Sequence, residues 1–211
     1  LIVFSLKKIQ YNWVSIPLQN FIKAKEFFEK ASDLGNVDAL HQIALLYHFG
    51  QGVEQNFIKA REYYEMGADL NHNISINNLG VFYLYGQGVE QNFNKAKEYF
   101  EKSADLGYSG ALNNLGHLYK KGMGVRKDIN KAIEFFEKSA ELGQSGALNN
   151  LGLLYIKGKE VEQNNLKAKE YFEKAAELGN ANAFYNLGNL YINGKDVGQN
   201  LIKAKEYFEK A

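Results

Sequence analysis

The feature that most constrains this chain is a repeat of 36 residues within its own sequence. Five complete copies align without an insertion, a sixth is partial, and the bounds are 19–54, 55–90, 91–126, 127–162, 163–198 and 199–211. A period of this size is typical of stacked supersecondary units, because one unit cannot bury its apolar face alone. The sequence therefore predicts an elongated array with a thin core between neighbouring units, rather than a globule.

Each copy contains two segments with the apolar spacing of an α-helix, which we name helix A and helix B. In the third copy the apolar stripe of helix B falls on Phe93, Ala96, Tyr99, Phe100, Ser103, Ala104 and Leu106. The stripe of the helix A that follows falls on Ala111, Leu112, Leu115, Leu118 and Tyr119. The remaining positions of helix B are mostly Lys and Glu, which predicts that one face of this helix is solvated.

Capping residues mark the helix ends at fixed positions. Helix B is predicted to start after Asn20, Asn56, Asn92, Asp128, Asn164 and Asn200, whose side-chain oxygens accept bonds from free N–H groups. Helix A is predicted to stop at Gly50, Gly86, Gly122, Gly158 and Gly194, since glycine tolerates the left-handed conformation that ends many helices.

Helix A also contains a glycine in its interior, at Gly80, Gly116, Gly152 and Gly188, with Ala44 at this position in the first copy. Glycine inside a helix costs roughly 1 kcal/mol relative to alanine. A cost that recurs in each copy implies a compensation that recurs as well. We therefore predict that a neighbouring helix approaches closely at this position.

These residues resemble a known repeat family. The stretches 111–125 and 131–143, which read ALNNLGHLYKKGMGV and KAIEFFEKSAELG, are similar to the Sel-one-like repeat, a relative of the tetratricopeptide repeat. The resemblance covers residues 19–211. It implies an all-α fold, a right-handed α/α solenoid of antiparallel helix pairs, with the A helices on the concave face.

Some positions depart from the pattern. Glu160 and Asp196 replace the second glycine of the turn from helix A to helix B, which predicts altered geometry in the last two such turns. Asn71 replaces the glycine after helix B in the second copy. Residues 1–18 align poorly and are interpreted as a degenerate N-terminal cap or partial repeat, or alternatively as part of something else. The chain starts on Leu and ends inside a repeat, so we expect it to be a piece of a longer protein.

The composition argues against several classes of protein. Twenty-five Lys and Arg balance 24 Asp and Glu, which gives no argument for nucleic acid or an anionic membrane. No segment approaches the roughly 18 apolar residues of a membrane-spanning helix. There is no Cys, which excludes disulfides and thiolate metal sites but leaves the compartment open. We expect a monomer, in the cytoplasm or alternatively in the endoplasmic reticulum.

On helix A, the residues that avoid the core stripe are candidate contacts for a partner. They are Asn77, Val81, Asn113, His117, Asn149, Leu153, Tyr185 and Asn189. Their mixture of amide and apolar groups suits an extended peptide or a partner helix. The alternative is that they are ordinary solvent-facing residues. A second row, Gln42, Asn78, Asn114, Asn150 and Asn186, is interpreted as structural, with each amide bonding to a neighbour's backbone.

A basic cluster lies at the third turn from helix A to helix B, where Lys120, Lys121, Arg126 and Lys127 come together. A phosphorylated or acidic segment of a partner could use Lys120 and Lys121. Alternatively, lysines at the end of a helix simply complement its dipole.

The sequence offers no candidate catalytic, cofactor-binding or metal-binding residues. Its four histidines have no metal-ligand spacing, and no Ser-His-Asp arrangement can be assigned. Some bacterial relatives carry a disulfide in each repeat and have been ascribed penicillin-hydrolysing activity, which the lack of Cys makes an improbable alternative here. The resemblance implies a noncatalytic protein-interaction scaffold. More specific alternatives are an adaptor in endoplasmic-reticulum protein degradation and a regulatory region of a signalling protein such as a kinase.

Overall fold

The computed structural model describes residues 18–211, which form eleven α-helices and no strand. The B helices are α1 (Leu18–Asp33), α3 (Phe57–Asp69), α5 (Phe93–Asp105), α7 (Ile129–Glu141), α9 (Asn165–Glu177) and α11 (Leu201–Glu209). The A helices are α2 (Val37–Phe49), α4 (Asn73–Tyr85), α6 (Ser109–Lys121), α8 (Ser145–Lys157) and α10 (Ala181–Asn193). Helices α2 to α10 all have 13 residues. The predicted cap at residues 1–18 lies outside the described residues, except for Leu18.

The described residues divide into two compact units, the first ending at Asn92 and the second covering Phe93–Ala211. Within the first unit, each of the helices α1 to α4 packs on the next one along the chain, and within the second unit the same holds for α5 to α11. The core of the second unit consists of successive small clusters. One of these joins Leu148 of α8 to Phe172 of α9 and Leu187 of α10. In this cluster the B helix α9 buries apolar side chains against the A helices on both sides of it.

The predicted helix ends are largely confirmed. Asn56, Asp128, Asn164 and Asn200 each accept a bond from the backbone N–H three residues further on, at 2.8–3.0 Å. All five predicted C-terminal glycines adopt the left-handed conformation, with φ between 57° and 72°. The prediction is wrong at Asn20, because α1 already begins at Leu18 and Asn20 lies inside its first turn.

The glycines inside helix A face an aromatic ring. A Cβ added to Gly116, Gly152 or Gly188 would lie 2.5–2.6 Å from the ring of the phenylalanine in the following B helix. The phenylalanines at Gly116 and Gly152 are Phe136 and Phe172, and both are fully buried. The predicted close approach is confirmed for these three glycines, and the neighbouring group is a phenyl ring.

The turns from helix A to helix B differ between copies. At Gly52, Gly88 and Gly124 a Cβ would lie 2.5–3.0 Å from the aromatic residue near the start of the preceding B helix. Asp196 keeps the left-handed conformation with a φ of 65°, and its carboxylate accepts a bond from Asn165 Nδ2 at 2.8 Å. Asn165 stands where the first three copies have a phenylalanine, so a polar pair replaces their aromatic–glycine pair.

Glu160, by contrast, is not left-handed, and its carboxylate lies 3.6 Å from Lys127 Nζ. The predicted change of turn geometry is therefore confirmed at Glu160. The φ of Asp196 matches that of the glycines it replaces, but the last turn also differs, because Gly198 is left-handed with a φ of 75° and its N–H donates to the Gly194 carbonyl at 3.0 Å.

Candidate partner-binding surface

Side-chain amides connect the A helices of the second unit. Asn150 Nδ2 on α8 donates to Asn113 Oδ1 on α6 at 2.9 Å and lies 3.0 Å from His117 Nε2. One copy further on, Asn186 Nδ2 of α10 donates to Asn149 Oδ1 of α8 at 2.8 Å. Asn113, His117 and Asn149 belong to the row of candidate contacts, whereas Asn150 and Asn186 belong to the row interpreted as structural. Hydrogen bonds therefore join the two rows.

This network corrects one sequence prediction. The amides of Asn150 and Asn186 were expected to bond to a neighbour's backbone, but they bond to side chains of the preceding A helix. Asn150 is only 7% exposed, so its hydrogen bonds replace those that water would supply. The structural interpretation of this row is confirmed for both residues, with different partner atoms.

His117 is held as a neutral ring. Burial, together with the smaller effect of the nearby Lys120 and Lys121, lowers its pKa to about 4. The Asn150 amide nitrogen can donate only to an unprotonated Nε2, so the hydrogen bond also favours the neutral form. The ring lies edge-on to Phe136, with the centroids 5.2 Å apart. His117 therefore acts at neutral pH as an acceptor inside the network.

The candidate contact residues differ in how far a partner could reach them. Asn77, Val81 and Asn149 are buried, with exposures of 4–7%. Asn113, His117, Leu153 and Asn189 are half-buried, and Leu153 packs on the core. Tyr185 is the most open, with 56% of its surface exposed and its ring centroid 5.7 Å from that of Phe208.

The basic cluster lies at the end of α6. Lys120 is half-buried, and burial lowers its pKa, with a further decrease from Lys157, Lys121 and Lys127. Lys121 is exposed, as is Lys127, which lies near Glu160. The helix ends here at Gly122, so the lysines also complement the negative end of its dipole.

A Ser-His-Asp contact, which the sequence analysis missed, occurs in the first unit. His72 Nδ1 lies 2.8 Å from Ser75 Oγ, and His72 Nε2 lies 3.2 Å from Asp38 Oδ1. Ser75 is completely buried, and a Cβ on Gly67 would lie 2.6 Å from its hydroxyl, so no substrate can reach it. His72 instead caps α4 by accepting from the Ser75 backbone N–H. The three-residue spacing of His72 and Ser75 was the available signal.

Two kinds of feature are absent from residues 18–211. In that range, no group of three or more His, Cys, Asp or Glu side chains is arranged to hold a metal ion. None of the helices there combines the length and the apolar character needed to cross a membrane.

Comparison with known proteins identifies the repeat. The model of the Sel1 repeat matches six times, at residues 17–36, 37–72, 74–108, 109–144, 145–180 and 181–211. The matches from residue 37 onward each contain one A helix and the B helix that follows it. No curated protein matches the chain significantly.

Several solved structures are similar to this one. A Sel1 repeat protein from Oxalobacter formigenes is 32% identical, with a TM-score of 0.80, over 92% of this chain and 80% of that one. A protective antigen of uropathogenic Escherichia coli with an SLR fold is 26% identical, with a TM-score of 0.69, over 90% of this chain and 41% of that one. An immunity protein from Pseudomonas aeruginosa is 25% identical, with a TM-score of 0.66, over 88% and 71%.

The helix pairs, their period and these matches confirm the predicted all-α helical-repeat fold and the resemblance stated from the sequence. Sel1 repeat proteins are generally noncatalytic scaffolds for protein interaction. The chain belongs to the Sel1 repeat family.

Proposed function

We propose that this chain is a noncatalytic scaffold that binds a peptide or a helix of a partner protein along its A helices. The exposed phenol of Tyr185 beside an ordered amide network is the observation that carries this proposal. A tyrosine offers a large apolar ring and a polar hydroxyl at a low entropy cost, which is why it is frequent at binding interfaces.

The amide network supports this proposal through its order. Asn150 is fixed by two contacts, and Asn149 is fixed by Asn186, so these side chains lose little freedom when a partner docks beside them. Asn113 and His117 form the half-buried border of the network, and Leu153 adds an apolar surface. Amides can bond to a partner's backbone while its apolar side chains contact Leu153 and Tyr185.

We propose a supporting role, without direct contact to the partner, for the candidates that are buried. Asn77, Val81 and Asn149 expose too little surface to contribute contact area, so we assign them to the support of the surface. Lys120 and Lys121 lie at the end of α6, where an acidic group of the same partner would meet them. The proposed contact set in the second unit is thus Asn113, His117, Leu153, Tyr185, Asn189, Lys120 and Lys121.

The test is affinity capture with the purified chain, followed by titration of any partner that is identified by mass spectrometry. Tyr185→Ala combined with Asn189→Ala should weaken binding at least tenfold, because both residues lie on the proposed contact surface. Ile202→Ala, which changes a side chain that is 74% exposed on α11, is the control and should bind like the unmodified chain.

Melting curves separate an effect on binding from an effect on folding, since both variants should have the melting temperature of the unmodified chain. Asn113→Ala is a poorer probe, because it also removes the acceptor for Asn150. If the partner binds the Tyr185 and Asn189 variant with unchanged affinity, the A-helix surface is not the binding site.

A further inference from the structure

The turn from each B helix to the next A helix exposes an acidic residue followed by a leucine. The pairs are Asp33 and Leu34, Asp69 and Leu70, Asp105 and Leu106, Glu141 and Leu142, and Glu177 and Leu178. The acid is the last residue of its helix in all five cases. We name this set the B-to-A edge, two pairs of which belong to the first unit and three to the second.

Both members of each pair are placed unfavourably for the chain alone. The C-terminal end of a helix carries a partial negative charge, so a carboxylate there is repelled. The leucines are 41–89% exposed, and each therefore leaves apolar surface in water. Single exposed leucines are ordinary, but here the same unfavourable pair occurs at every one of the five turns.

The acids of these pairs have no ion-pair partner in the described part of the chain. None of the five carboxylates forms an ion pair with a residue of 18–211. Lysines stand three residues earlier in four of the helices, at Lys30, Lys102, Lys138 and Lys174, yet none of them lies within 4.0 Å of the acid. The carboxylates are left to water.

Neighbouring positions of the same turns have changed between copies while this pair has not. The residue that caps the next helix, two positions after the leucine, is Asn36, His72, Tyr108, Gln144 or Asn180. The leucine is constant and its predecessor is always Asp or Glu. The exposed pair is therefore constant where the cap beside it varies, as is expected of residues that are retained for a contact.

Consecutive turns of the second unit lie side by side. Asn180 Nδ2 at the start of α10 donates to Ser145 Oγ at the start of α8, at 3.3 Å. Ser139 Oγ near the end of α7 donates to the Ser109 carbonyl at the start of α6, at 2.8 Å. The three pairs of the second unit therefore lie on consecutive, neighbouring turns.

We propose that the B-to-A edge of the second unit binds a segment of a partner protein that carries lysine or arginine beside large apolar side chains. The positive side chains of the partner pair with the carboxylates at the helix ends, and the partner's apolar side chains cover the leucines. This is a second contact surface, separate from the A-helix surface and independent of whether that surface binds.

The probe is a fluorescein-labelled ten-residue peptide of leucine, lysine and glycine, titrated with the full chain by anisotropy at low salt. Two further peptides replace its lysines by glutamates or its leucines by serines. The unmodified chain should bind the first peptide most tightly. Leu142→Gln with Leu178→Gln, and separately Glu141→Gln with Glu177→Gln, should each weaken this binding at least tenfold.

The matched control changes Leu166→Gln and Glu170→Gln, which are exposed residues of the same types near the start of α9. It should bind like the unmodified chain. Melting temperatures should stay equal or rise in the Glu141 and Glu177 variant, because a repelled charge is removed. The proposal is overturned if the lysine peptide does not bind, if the glutamate or serine peptide binds as well, or if the control loses as much affinity.

Discussion

The two units use one helical template with different buried chemistry. In the first unit His41 occupies the position that Asn113 and Asn149 hold in the second, and Tyr64 occupies that of Phe136. His41 and Tyr64 are buried, and their rings lie 5.7 Å apart. The stacking geometry thus fixes the size of a buried side chain, whereas the ability of that side chain to gain a proton varies between copies.

The difference is largest in the response to acid. Burial lowers the pKa of His41 and His48 in the first unit to about 4, and for His41 this value includes a smaller decrease from His72. In the second unit His117 is the histidine whose pKa is lowered in the same way. Burial also raises the pKa of the Tyr64 hydroxyl, so this group stays protonated as a partner for His48 Nδ1 at 3.4 Å.

The largest expected effect comes from removing the ring that fills the space above a helix A glycine. Phe172→Ala leaves a cavity beside Gly152 in the second unit and should lower the free energy of unfolding by about 3–5 kcal/mol. Tyr64→Ala should cost as much in the first unit, since Tyr64 holds the same repeat position and is also fully buried, although Ala44 stands there in place of the glycine. Urea unfolding followed by circular dichroism measures both, and a loss below about 1 kcal/mol for either would show that the rings are not equivalent.

Acid should weaken the first unit more than the second. An unfolded histidine titrates near a pKa of about 6.5, so the neutral rings contribute fully above this pH and their contribution is lost as the pH falls toward 4. Each of His41 and His48 should cost about 2 kcal/mol between pH 7 and pH 5.

The matched variants copy residues from other repeats. His41→Asn with His48→Leu should protect the first unit, and His117→Leu should protect the second. Hydrogen exchange, corrected for the pH dependence of the intrinsic rate, reports each unit separately. Equal acid sensitivity of both units in the unmodified chain would contradict the comparison.

The amide network of the second unit should respond to loss of its donor. Asn150→Ala leaves the Asn113 oxygen and His117 Nε2 without this partner and should cost about 1–3 kcal/mol of stability. The pKa of His117 should rise at the same time, because the bond that favours its neutral form is gone. Titration of the imidazole by NMR tests this, and an unchanged pKa would mean that burial alone keeps the ring neutral.

The smallest effect is expected at the last turn. Asp196→Gly removes a left-handed side chain but also the bond to Asn165, so the two changes should nearly cancel, to within about 1 kcal/mol. Adding Asn165→Phe recreates the aromatic–glycine pair of Phe57 and Gly88. The double variant should be more stable than the two single changes predict when they are added. Strictly additive effects would show that residues 165 and 196 do not act as a pair.

The sequence was most informative where a residue type has one conformational use. The glycine stops, four of the Asn and Asp caps and the close approach at Gly116 followed from local rules. The identity of the approaching group did not, because apolar periodicity does not tell which ring of helix B faces which glycine. The partners of Asn150 were missed for a related reason, since they lie on the preceding helix, whose spacing fixes which atoms meet.

Burial of the candidate site was also beyond the sequence. Asn149 and Tyr185 hold equivalent positions, yet Asn149 lies under Asn186 of the next copy while Tyr185 is open. The contact of Asp38 with His72 joins different copies and has no sequence signature, although the local spacing of His72 and Ser75 does. Periodicity therefore assigns a position to each residue, but it does not give that residue's neighbours across the stack.

Nine consecutive helices of identical length have a consequence for how such a gene can change. Recombination between two copies of the coding repeat adds or removes whole helix pairs and keeps the ring of each B helix opposite the same position of helix A. The number of copies can then vary without new side-chain packing, whereas an insertion of one residue within a helix would misalign the contacts of that helix with its neighbours. The number of repeats is therefore the property of this architecture that can change with the least disturbance of its packing.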